Sequence, residues 1–138
     1  MRISPHLCFD GQCKAAFLHY QQLFGGTLTM LTYGESPMAS NVDQEWHDRI
    51  VHATLRFNDV ELAGADLLPH DYRKPQGVFV LVTVEDIAEA ERIFSSLAKG
   101  GEIQVPFQQT FWSAGFGVLV DQFGVPWEIN SAQPTASA

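Results

Sequence analysis

Basic residues are scarce in this 138-residue chain: eight Lys and Arg stand against sixteen Asp and Glu, a formal net charge of −8. Binding along a nucleic-acid backbone needs clustered cations. Here they are scattered, so nucleic acid is not an expected partner. Cysteine is scarcer still. Cys8 and Cys13 are the only two, and no CxxC or HxxxH spacing occurs, which removes a zinc site of local spacing. No apolar run is long enough to span a bilayer, and no signal-peptide core follows Met1-Arg2. The expectation is a cytoplasmic protein with no membrane partner and both cysteines as free thiols. GxSxG, a Walker A loop and a Cys-His-Asn set are all missing. The glycine nearest the first expected strand, Gly11 in FDGQC, does not make the GxGxG turn of S-adenosylmethionine and nucleotide folds. No nucleotide cofactor is expected.

What is present is a globular composition, 46% hydrophobic and 17% charged, enough for one domain or two small modules sharing a core. Ile3–Asp10 reads as a strand with Leu7 and Phe9 on one face. Residues 13–24 place Ala16, Phe17, Tyr20, Leu23 and Phe24 on one helical stripe, stopped by Gly25-Gly26. TLTMLTYG is a second strand, and RIVHATLRFNDVELAGAD is a hairpin turning at Asn58-Asp59. The same order then returns. QGVFVLVTV is a strand, residues 86–98 a helix stopped by Gly100-Gly101, EIQVPFQQ a strand and SAGFGVLVDQFGVPWEIN a hairpin. Ala16 lines up with Ala90, Tyr20 with Phe94 and Leu23 with Leu97.

Such self-similarity predicts an α+β fold of two β-α-β-β-β modules, residues 1–68 and 76–132, in one domain. Their curved mixed sheets would surround a shared cup, with the helices outside. Residues 34–48 and 66–77 would be rim loops, and the tail SAQPTASA would fray. The last strand poses the functional question. Alternation puts Trp127 and Ile129 in the core, so Glu128 and Asn130 face elsewhere. A buried unpaired carboxylate there would need a cation or hydrogen-bond donors.

Three segments carry a family resemblance: SPHLCFDGQCKAAFLHYQQLFGG, VHATLRFNDVELAGAD and QTFWSAGFGVLVDQFGVPWEIN. They resemble the PhnB-like branch of the vicinal-oxygen-chelate superfamily of glyoxalases, bleomycin-resistance proteins and extradiol dioxygenases. The resemblance implies a homodimer and metal ligands on the first and last strands of each module. It offers His6, and Glu128 as both metal ligand and catalytic carboxylate. The last strand of the first module offers Glu61 or Ala63, according to whether VEL is matched to WEI or positions are counted from the turn. Phe79 falls where the second module's first ligand would be, and it cannot bind a metal.

His52, with Val51, Ala53, Leu55 and Phe57 on its strand's other face, is the compensating candidate. Imidazole and carboxylate suit zinc, nickel, iron or manganese. Bland roles stand beside these: His6 hydrogen-bonding a neighbouring strand, His52 making a polar contact, Glu61 solvated beside its turn, and Cys8, on the parity of His6, as packing. Two functions follow. One is binding of a small oxygenated organic molecule whose vicinal oxygens a divalent metal polarises. The other is metal-free, antibiotic-type binding of an apolar or aromatic compound between those of Phe79, Trp112 and Trp127 that face the cavity, with His52 as a further ligand contact.

Overall fold

The computed structural model describes residues 1–135. The elements run β1 (His6–Phe9), α1 (Cys13–Phe24), β2 (Thr27–Thr32), β3 (Ile50–Phe57), β4 (Val60–Asp66), β5 (Val80–Val84), α2 (Ile87–Ala98), β6 (Glu102–Gln108), β7 (Phe116–Val120) and β8 (Pro126–Ser131). Two short 3-10 turns, Ala39–Asn41 and Gln44–Trp46, punctuate the expected loop between β2 and β3. Two compact units result, Met1–Arg73 and Lys74–Ala138. Each contains a four-stranded mixed sheet, ordered β1-β4-β3-β2 in the first and β5-β8-β7-β6 in the second. In each, the first strand pairs parallel with the last, and the remaining pairs are antiparallel. The duplicated β-α-β-β-β order read from the sequence is therefore the architecture.

In unit one, α1 buries Cys13, Ala16, Phe17 and Tyr20 against the sheet face carrying Phe9, Ala53, Leu55 and Leu62. Phe17 comes so close to β4 that a Cβ on Gly64 would lie 2.6 Å from its ring, which is why the strand has a glycine there. Asn58 takes a positive φ of 54°, supplying the left-handed residue of the β3–β4 turn. Asp66, fully buried at the end of β4, is the tie of this unit. Its carboxylate accepts from the Cys13 N–H (2.9 Å) and the Ile50 N–H (2.9 Å), and its carbonyl accepts from the Tyr33 hydroxyl (2.7 Å).

In unit two, α2 buries Ala90, Ile93, Phe94 and Leu97. Asp86 caps it by accepting from the Glu89 N–H at 3.2 Å. Trp127 and Ile129 are buried as alternation requires. Asp121 organises the turn before β8: its carboxylate accepts from the N–H groups of Phe123 and Val125 and from the indole N–H of Trp127 at 2.9 Å.

Three expectations need correction. The first strand begins at His6, not Ile3, because Pro5 has no N–H to donate to a ladder and Ile3 projects into solvent. The first strand of the second module likewise starts late, at Val80 and not at Gln76. The tail does not fray from its start: Ser131 is buried in β8, Ala132 N–H donates to Val84 O, and the Gln133 side chain accepts from the Ile87 N–H. Residues 136–138 of that tail lie outside the described residues.

Candidate functional site

Each sheet has one face against its own helix and one turned away from it. Laterally paired residues share a face, so the register assigns every side chain on the strands. In unit one the helix-free face holds His6 and Cys8 on β1, Glu61, Ala63 and Ala65 on β4, and His52, Thr54 and Arg56 on β3. His6 and His52 flank the small side chains of β4, with ring centroids 6.5 Å apart and planes inclined at 30°. Both imidazoles are exposed. Two sequence candidates thus come together on one face.

Glu61 behaves differently from the solvated residue the turn suggested. Its side chain is 12% exposed and lies between two guanidinium groups, Arg2 at 3.0 Å and Arg56 at 3.5 Å. The register also decides which β4 residue corresponds to Glu128. His6 stands opposite Ala63, and Leu81 stands opposite Glu128, each pair three positions before the last paired residues, Phe9–Asp66 and Val84–Ser131. Ala63 is therefore the counterpart of Glu128. Leu81, not Phe79, is the counterpart of His6, because β5 begins only at Val80 and Phe79 precedes it.

In unit two the helix-free face carries Leu81 and Thr83 on β5, Glu128 and Asn130 on β8, Phe116 and Val118 on β7, and Val105 on β6. This is an apolar surface around one carboxylate. Leu81 is 58% exposed, and Trp112, 56% exposed, packs edge-on against Phe116 with centroids 5.3 Å apart. Glu128 makes no ion pair or hydrogen bond with any described residue. Sequence reasoning found Glu128 and Trp112 and put Asn130 on the face of Glu128, but it missed Phe116 and Leu81.

The thiols are poor nucleophiles. Burial raises the Cys8 thiol above its ordinary value, and burial together with the nearby Asp66 carboxylate raises Cys13 much further. As to a metal, unit one brings two imidazoles into proximity, two donors where a structural site uses four and a catalytic site three. Among the described residues, no group of three or more His, Cys, Asp or Glu is placed to hold an ion.

Residues 1–130 match the family model described as 3-demethylubiquinone-9 3-methyltransferase. The chain is 34% identical to Protein YjdN of Escherichia coli K12, over 98% of this chain and 99% of that one. It superposes on protein PA1353 from Pseudomonas aeruginosa with a TM-score of 0.89 and 41% identity, over 97% and 99% of the two chains. A PhnB protein from Bacillus cereus follows at a TM-score of 0.79 and 26% identity, over 96% of this chain and all of the other. Structures of the glyoxalase/bleomycin resistance/dioxygenase superfamily share the fold.

Proposed function

From the premise that the chain belongs to this PhnB-like family, within the glyoxalase/bleomycin resistance/dioxygenase superfamily, we propose that it binds a small organic molecule on a helix-free sheet face. One observation carries the reading: in unit two, exposed apolar and aromatic side chains surround a single unpaired carboxylate. Binding surfaces for small molecules are mostly apolar with a few convergent polar groups, whereas a face made only for solvent has no use for Leu81, Phe116 and Trp112 together. Trp112 and Phe116 offer ring faces for stacking, and Glu128 offers the polar contact that orients the ligand. Phe79, exposed just before β5, adds apolar surface to this unit.

The methyl-transfer activity in the family's description is not what this geometry supports best, since neither unit has a glycine-rich turn after its first strand. Titrating the protein with a panel of aromatic and oxygenated compounds, followed by tryptophan fluorescence, tests the binding reading. Trp112→Ala should weaken binding. Ligands that bind the variant and the parent equally well would show Trp112 to be packing only.

A second reading is favoured by the His6–His52 pair. Here a divalent ion, zinc, nickel, iron or manganese, takes imidazole ligands from His6 and His52 within unit one; that Glu128 is a carboxylate ligand and the catalytic residue is what the resemblance implies. A bound ion of this kind polarises adjacent substrate oxygens. The imidazoles must be neutral to ligate, so affinity falls with pH as they protonate. Calorimetric titration of zinc, nickel and manganese into the parent, His6→Ala, His52→Ala and Glu128→Gln decides it. No heat with the parent, or unchanged binding in all three variants, leaves the metal-free reading alone. A homodimer in the cytoplasm completes the proposal, consistent with free thiols at Cys8 and Cys13. Monomeric mass by light scattering would remove the dimer.

A further inference from the structure

The last strand of unit two leaves oxygens of two side chains without partners among the described residues. The Oδ1 of Asn130 is buried and receives no hydrogen bond. The carboxylate of Glu128, two residues earlier and therefore on the same face, has no cation or donor among the described residues. A buried acceptor left unmet costs about 1–3 kcal/mol, and native proteins keep few of them without cause. The sheet cannot supply the missing charge. None of its four strands, VLVTV, EIQVPFQ, FGVLV and PWEINS, contains Lys, Arg or His.

What would satisfy both oxygens is a group carrying several N–H donors and a positive charge. What surrounds them selects the rest of such a molecule. Phe116 stands opposite Asn130 and Val118 opposite Glu128 on β7, Leu81 stands opposite Glu128 on β5, and Trp112 packs against Phe116. Aromatic ring faces attract ammonium groups, and apolar neighbours attract the hydrocarbon behind them. An anion would meet Glu128 with nothing to offset the repulsion. A neutral apolar molecule would cover the carboxylate and leave it desolvated and unpaired.

We propose that unit two receives a small organic amine in its protonated form. The ammonium donates to Glu128 and to the Oδ1 of Asn130, and its apolar or aromatic body lies against Leu81, Phe116 and Trp112. This rests on the reading of the unit-two face as the ligand surface and names the ligand's class.

The test uses three probes of one shape, 2-phenylethylamine, 2-phenylethanol and 3-phenylpropanoate, titrated into the full chain by calorimetry and tryptophan fluorescence. The amine should bind at least about tenfold tighter than the alcohol, the scale of one charge-assisted hydrogen bond, and the carboxylate should bind weakest. Glu128→Gln, which keeps the side-chain shape, should bring the amine to the level of the alcohol and leave the alcohol unchanged. Trp112→Ala should weaken all three together. Equal binding of the three probes overturns the amine and leaves the apolar surface standing. No binding by any probe overturns both. An amine preference that survives in Glu128→Gln and in Asn130→Leu also overturns the proposal, because the preference then arises elsewhere.

Discussion

The two units share one wiring diagram, and they differ most on the faces their helices leave uncovered. On the helix-facing side the duplication is closely kept: Ala16 and Ala90 are both buried, as are Tyr20 and Phe94. On the other side, unit one presents His6, His52, Thr54, Arg56 and a carboxylate held by two arginines, while unit two presents Leu81, Phe116 and a carboxylate with no partner among the described residues. Packing constrains the first set in the same way twice, since a helix on a sheet needs interlocking apolar side chains wherever it occurs. The uncovered faces carry no such duty. What differs between them is chemistry.

The largest effects should come from breaking the ties that hold each unit's last strand. Asp66→Ala strands the two buried N–H groups of Cys13 and Ile50 while Tyr33 keeps its backbone carbonyl partner; we expect a loss of about 3 kcal/mol or more in urea unfolding. Ser131, at the matching place in unit two, donates to Glu85 O at 3.2 Å and accepts from the Gln133 N–H. Ser131→Ala should cost about 1 kcal/mol. Equal losses would mean that the two strands are anchored alike after all.

Gly64→Ala comes next, at about 1–3 kcal/mol, because its methyl group would press on the Phe17 ring inside unit one. A smaller effect distinguishes the units by pH. Cys13 is held protonated by burial and by Asp66, its folded pKa lying above the ordinary 9.0. A raised acid favours folding below its unfolded pKa, so stability should fall as pH rises past 9, by up to about 1.4 kcal/mol per pH unit for one proton. Unit two has no cysteine. Cys13→Ala should flatten the alkaline decline, and an unchanged slope would assign it to Cys8 or to the tyrosines, of which Tyr33 and Tyr72 are also raised by burial.

Both helices, the glycine stops and the Asn58 turn could be read from the sequence because each rests on local periodicity or a local backbone need. The face of Glu128 followed from Trp127 and Ile129 for the same reason. Pairing between strands distant in sequence could not be read that way. Phe79 was matched to His6 because a strand's first residue is invisible until its partner is known, and the shift to Leu81 comes from the β5–β8 ladder. Asp66 and Asp121 were missed because their partners, the N–H groups of Cys13 and Ile50 and the Trp127 indole, are set by tertiary folding. The Arg56–Glu61 pair was within reach: a two-residue turn at Asn58-Asp59 places those positions opposite one another.

The smallest expected change in stability separates the two exposed-face carboxylates most sharply. Glu61 is mostly covered, but its partners Arg2 and Arg56 are 67% and 63% exposed, so water and salt screen both ion pairs. Glu61→Gln should therefore cost well under about 1 kcal/mol, and the cost should shrink as sodium chloride is added. Glu128 has no ion pair to lose among the described residues. Glu128→Gln should leave stability unchanged or raise it slightly, with no dependence on salt. Chemical denaturation of both variants at low and high salt makes the comparison. If Glu128→Gln destabilises more than Glu61→Gln, the carboxylate contributes to folding, and its place on the unit-two face needs no ligand to explain it.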